Sequence, residues 1–210
     1  MPVFLLVRHG KTEHVENEVL AGRIDTPLTD EGRQQALRLA EVLGAQPIKA
    51  IYSSPMCRAV ETAQPLANAL NLFVEMDPML TQVDFGEWQG ISLEELEERK
   101  EWQEFKADPG SVVCPGGESM PAVRQRVMLG LQRIGSSYED DDLVAIFAHG
   151  SIIRHAIAFF LEMPLSALNR VKIGPASVSA LQVLDGTAVL RSLNRSFPPE
   201  GESALQFGGM

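Results

Sequence analysis

Apolar positions along the chain fall into short unbroken runs separated by helical periodicities, and two of the runs stop in the same way. Val3, Phe4, Leu5, Leu6 and Val7 end at Arg8, His9 and Gly10, while Leu143, Val144, Ala145, Ile146, Phe147 and Ala148 end at His149 and Gly150. Apolar runs of this length, without polar alternation, predict strands buried on both faces. Each run pushes a histidine out beyond its carboxyl end, and the glycine that follows lets the backbone turn tightly. Ligands of open parallel sheets bind beyond the carboxyl ends of the strands. Two histidines delivered there by two strands can face each other across one pocket.

The other elements follow from spacing and punctuation. Residues 29–43 predict a helix with Leu37, Ala40, Val42 and Leu43 on its apolar face and Gly44 at its end. Ala50, Ile51 and Tyr52 predict a short strand. A helix is expected next, with Ser54 as N-cap and Pro55 at the first helical position; it carries Arg58 in its first turn and runs to about Leu70. A strand over 73–76, a charged helix over 93–106, a helix from Met120 to about Tyr138 and one over 151–161 complete the alternation. Residues 177–183 and 188–193 read as a hairpin around Asp185 and Gly186. Residues 11–29, 78–92 and 109–117 read as loops, and the Pro, Gly and Ser content from Phe197 onward predicts a flexible tail. Neither repeats nor low-complexity tracts occur. Strands alternating with helices predict an α/β three-layer sandwich, with a mostly parallel central sheet and helices on both faces. A single domain over 1–196 is expected, with residues 197–210 as the tail. The stretch 78–118 is too long for a plain crossover, and is expected to be a cap-like insertion over the C-terminal edge of the sheet.

Composition narrows the partners. The 210 residues are 45% hydrophobic and 22% charged, enough for a sizeable core, and the formal net charge is -10. So acidic a chain is a poor match for phosphate backbones, and no nucleic-acid partner is expected. Cys57 and Cys114 have no CxxC spacing, so both are expected to be reduced thiols in a cytoplasmic protein. The N-terminal apolar run is short, has no basic region before it and leads straight into charge, unlike a signal peptide. No stretch reaches the roughly 18 apolar residues a membrane span needs, so no membrane partner is expected. The exposed end of the sheet offers a face for a homodimer.

Against that acidity, a local cluster of Arg and His gains meaning. Either histidine alone is as readily a satisfied strand-end residue; two identical placements point to a site. Metal binding is the next alternative, since neutral imidazole is a common ligand, but Arg8 adjoins His9 and no Asp or Glu stands at ligand spacing. Arg58, near a helix N-terminus, adds an anion-favouring fork. A neutral imidazole nitrogen can attack phosphorus, and guanidinium groups with a second histidine can hold the oxygens as charge develops. Cys57 beside Arg58 could have a lowered pKa, although an ordinary thiol is favoured. Trp88 and Trp102 either line the pocket mouth or pack the insertion, with packing favoured; His155 reads as structural, and His14 as a surface residue within reach of the site.

Taken together, LLVRHGKT at 5–12, GRIDTPLTDEGRQQA at 22–36, YSSPMCRAVETA at 52–63, DFGEWQG at 84–90, PGGES at 115–119 and AHGSIIR at 148–154 resemble the histidine phosphatase superfamily, in its phosphoglycerate mutase-like branch. The resemblance implies that His9 is the phosphorylated nucleophile and that Arg8, Arg58 and His149 complete the phosphate pocket. It also implies a phosphohistidine intermediate with no metal and no cofactor. The motif positions Gly22, Glu118, Ser119 and Gly150 are expected along the substrate. Three departures stand out. Relatives carry a glutamate proton donor in an L-x-E pattern before the G-x-W segment, where this chain reads Leu80, Thr81, Gln82. Many have asparagine at the position of Val15, and often glutamine at that of Ala21. The expected activity is hydrolysis of a small phosphomonoester, weakened by Gln82 or served by Asp84 or Glu87 in its place. Phosphoglycerate mutase activity, or a catalytically weak phosphate-binding or regulatory role, are the alternatives.

Overall fold

The computed structural model describes residues 1–184 and 187–197. Six strands form one sheet: β1 (Val3–Arg8), β2 (Ile48–Ser53), β3 (Val74–Met76), β4 (Leu143–Ala148), β5 (Val178–Leu184) and β6 (Thr187–Arg195). Their order is β3-β2-β4-β1-β5-β6. The first four run parallel, and β5 and β6 add an antiparallel edge. The expected three-layer α/β architecture is therefore present, and the sheet is parallel where the two histidine-tipped strands lie. The turn at Asp185 and Gly186, and the tail from 198 onward, lie outside the described residues.

Alternation along β1 and β4 divides the core in two. Phe4, Leu6, Val144 and Ile146 pack with helices α6 (Met120–Gly135) and α7 (Gly150–Phe160) through Val127, Leu131, Ile152 and Ala156. Leu5, Val7, Ala145 and Phe147 face α2 (Asp30–Leu43) and α3 (Cys57–Leu70) through Leu39, Leu43, Ala63 and Leu66. Burial on both sides is what an unbroken apolar run requires.

Several expectations need correction. The loop 11–29 contains a short helix, α1 (Glu13–Glu16), capped by Thr12. Helix α3 starts at Cys57 after Met56, without a side-chain cap from Ser54. Its first N–H is instead taken by Asp25, reaching in from the loop, with Cys57 N donating to Oδ2 at 2.9 Å. The charged helix over 93–106 is two helices, α4 (Leu93–Glu97) and α5 (Lys100–Ala107), because Arg99 is extended. The break sets Trp102 and Phe105 against Trp88, with ring centroids 5.4 and 5.3 Å from it. Trp88, Trp102 and Phe105 thus pack into the core cluster on the α6 and α7 side of the sheet.

Candidate active site

Register builds the site. Arg8 pairs opposite Ala148 across β1 and β4, so His9 and His149 leave the sheet side by side, ring centroids 5.3 Å apart. Both are buried. Gly10 turns the chain against α2: a Cβ there would come 2.7 Å from the Gly32 carbonyl oxygen. Its N–H donates to Thr62 Oγ1 at 2.9 Å.

The hydrogen bonds fix two opposite tautomers. His9 Nδ1 lies 2.7 Å from the Gly10 carbonyl, which only accepts, so Nδ1 carries the proton and Nε2 keeps its lone pair. Arg58 Nε donates to His149 Nδ1 at 3.3 Å, so the proton of His149 sits on Nε2 and goes to Ser54 Oγ at 2.8 Å. Ser54 Oγ thus meets a histidine, and also accepts the Met56 N–H just before α3 at 3.4 Å. Arg58 is buried and also donates to the carbonyls of Gly22 at 2.7 Å and Ile24 at 2.9 Å. Arg8 donates to the Ile173 carbonyl at 2.6 Å.

Electrostatics keep both imidazoles neutral. Burial, then the charges of Arg8 and Arg58, hold His9 well below the usual histidine range. Burial, then Arg58, does the same for His149. His155 on α7 is pushed down to about 3, mainly by burial. The unfolded chain binds these three protons near pH 6.5, whereas the native protein resists them. Stability is therefore full above about pH 6.5 and falls as pH drops below it, by up to about 1.4 kcal/mol per pH unit for each histidine. The urea midpoint is expected to be much lower at about pH 5 than at about pH 7.5; an unmoved midpoint would refute three neutral buried histidines.

Arg8, His9, Gly22, Arg58, Gln82 and Gly150 line one pocket of about 970 Å³. Phe85, Trp102 and Phe105 of the 78–118 stretch also line it, as do Val15 and Ala21. His14 stands on this wall too, bonded to Thr26 Oγ1 at 3.1 Å. Glu118 and Ser119 are not brought to the wall. Glu118 takes two N–H groups of Arg126, at 2.9 and 3.0 Å, and Ser119 caps α6. Burial would raise the Glu118 carboxyl, but Arg126, the Asp84 N–H and Arg23 together hold it below its ordinary value. Asp84 and Glu87 are also absent from the wall: Asp84 accepts the Gly86 N–H at 2.9 Å and meets Arg23 at 3.5 Å, and Glu87 is exposed. The half-buried Cys57 thiol donates to Asp25 and is pushed up to about 12, first by desolvation and then by Asp25, the opposite of a lowered, reactive thiol.

Asp25 and Arg154 were missed by sequence reasoning. Asp25 had no local signal, since its partners Cys57 and Arg58 are far away in sequence. Arg154 had one: it follows Gly150 by one helical turn and shares its face of α7. Among the described residues, no cluster of three or more His, Cys, Asp or Glu could hold a metal ion, and no helix is long and apolar enough to cross a membrane.

Gly22 has a φ of +52°, and a Cβ there would lie 2.2 Å from Gln89 Oε1. Gly22→Ala is expected to cost about 1–2 kcal/mol in strain and to loosen phosphate binding by shifting the carbonyl that anchors Arg58. Urea unfolding and phosphate titration would check both effects.

A neutral imidazole with a free Nε2, flanked by guanidinium groups in a pocket, is suited to a phosphoryl anion. The comparisons agree on that class. The family model for the histidine phosphatase superfamily (branch 1) matches residues 4–196, and the chain belongs to that family. A bifunctional protein of Mycobacterium tuberculosis is 34% identical over 91% of this chain, which spans 53% of that protein, so the chain covers about half the length of the curated relatives first matched. Phosphoserine phosphatase 1 of Hydrogenobacter thermophilus is 29% identical over 92% of each chain. The solved structure of a mycobacterial glucosyl-3-phosphoglycerate phosphatase superposes with a TM-score of 0.85 at 28% identity, covering 91% of this chain and 98% of that one.

Proposed function

We propose that the chain hydrolyses a small phosphomonoester through a phosphohistidine at His9. The observation that carries this reading is the His9 tautomer: Nδ1–H is engaged by the Gly10 carbonyl, leaving Nε2 as a neutral nucleophile. Nε2 attacks phosphorus and the P–O bond to the leaving group breaks, while Arg8 and Arg58 hold the phosphoryl oxygens. Water then attacks the phosphohistidine, releasing inorganic phosphate and returning the lone pair to Nε2. The two relatives named as phosphatases of phosphoserine and of glucosyl-3-phosphoglycerate support a small phosphorylated metabolite as substrate. The Gln82 amide cannot protonate an alkoxide, so esters with good leaving groups react fastest.

Mixing the protein with p-nitrophenyl phosphate, quenching in alkali and mapping peptides by mass tests the intermediate. An acid-labile phosphoryl group on His9 is expected. Turnover without an adduct there would overturn the reading. Gln82 also favours a second reading, a phosphate-ligand binding protein; phosphate affinity with negligible turnover would select it.

A further inference from the structure

Beside the His9 pocket stands an unbalanced group of cations. Arg8 and Arg154 both line the cavity, and each has a buried Nε with no hydrogen-bond partner. The Arg8 side chain lies along the start of α7, where a Cβ on Gly150 would be 3.6 Å from its Nε. Arg154 follows one turn later on that helix. Lys172 lines the same cavity from the segment that also supplies Ile173, whose carbonyl accepts from Arg8. No ion pair joins Arg8, Arg154 or Lys172 to a carboxylate among the described residues. Of the two carboxylates on the wall, Glu97 holds Lys106, and Glu18 is exposed on the loop. Burial and the neighbouring Arg154, then Arg58, push Arg8 down to about 10. Largely buried guanidinium groups without a counter-charge are costly in a folded protein, and these gather at one site in a chain whose net charge is -10. A single phosphoryl group on His9, already met by Arg8 and Arg58, leaves Arg154 and Lys172 without a counter-charge.

We infer that Arg154 and Lys172 form a second anion subsite, and that the substrate carries a second anionic group, a carboxylate or another phosphate, close to its phosphoester. The inference rests on the phosphomonoesterase reading and specifies its substrate class. The fork of Arg154 would take two oxygens of that group, and Lys172 would add a point charge at its outer side. The preference comes from charge the site holds before the substrate arrives.

Three phosphonates test it by calorimetric titration of the full chain: methylphosphonate, with one anionic group, phosphonoacetate, which adds a carboxylate, and methylenebisphosphonate, which adds a phosphonate. One or both of the latter two are expected to bind at least about tenfold tighter than methylphosphonate, and the tighter one identifies the second anion. Arg154→Gln is expected to bring that ratio near one. Lys172→Ala, at an exposed position where folding is not at risk, should lower the ratio severalfold. Equal affinities in the unaltered protein, or a ratio that survives both substitutions, would overturn the subsite. Equal weakening of all three ligands by Arg154→Gln would also overturn it, since Arg154 would then grip the phosphoryl group itself. Failure of methylphosphonate to bind at all would overturn the phosphoryl pocket, and with it this inference, so the two failures are told apart.

Discussion

His9→Ala is expected to lower turnover of p-nitrophenyl phosphate by about 10⁴-fold or more while inorganic phosphate still binds. Removing the imidazole removes the strand-end nucleophile whose lone pair the hydrogen bonds leave free, and its neighbour cannot replace it: His149 has its Nδ1 engaged by Arg58 and its Nε2–H by Ser54. Water would then have to attack the ester directly, without a covalent step to divide the barrier. A 10⁴-fold loss corresponds to about 5.5 kcal/mol of transition-state stabilisation. Arg8 and Arg58 stay in place, so phosphate should still titrate into the pocket. Circular dichroism checks the fold, since the substitution frees the Gly10 carbonyl in a buried site. A variant keeping a tenth or more of the parent rate would remove His9 from the chemistry. Because His9 is held neutral well below the usual histidine range, no acid limb from this residue is expected near pH 6.5.

Gln82→Glu is expected to raise hydrolysis of an alkyl phosphate by about 10²–10⁴-fold and to change an aryl phosphate far less. The backbone at this position is already clamped. The Gln82 carbonyl accepts from Arg23 Nε at 3.2 Å and from Arg126 at 3.3 Å, and Gln82 Oε1 accepts the Val83 N–H at 2.9 Å. A glutamate can keep that last bond and offer the pocket a proton that the amide cannot. An alkoxide needs that proton as it leaves, whereas a nitrophenolate does not. The variant should also acquire a loss of alkyl-ester activity at high pH, as the new acid ionises. If the alkyl ester gains nothing, the proton reaches the leaving group by another route; His14, Glu18, Glu97, Lys106 and His155 are further titratable groups on the wall.

Much of this was legible in the chain. Two apolar runs that each stop at His-Gly gave the paired strands, and burial on both faces followed from their lack of alternation. The grouping of Arg8, His9 and Arg58 with His149 was readable because motif order and strand ends both pointed to one sheet edge. What stayed hidden depended on partners distant in sequence. Ser54 carries the local signature of a helix cap, yet its hydroxyl meets His149, 95 residues on, while Asp25 takes the free N–H of α3. Glu118 sits in a glycine-rich motif that suggests a ligand, yet Arg126 on the next helix claims its carboxylate. The break at Arg99 interrupts a stretch with good helical composition, because burying Trp102 and Phe105 against Trp88 overrides propensity.

The in-register pairing of β1 with β4, from Val3 opposite Leu143 to Arg8 opposite Ala148, makes the protein unequally tolerant of changes in length. One residue lost or gained inside either strand would turn its alternating side chains to the wrong layer and carry one histidine away from the other. The segments around Gly110 and Gly116 meet no such constraint, because they lie in loops rather than in the sheet. Lineages descended from such a fold can therefore lengthen, trim or replace such loops, while the strand-end histidines keep one spacing. Diversity should accumulate as insertions in the loops, and the sheet should record almost none.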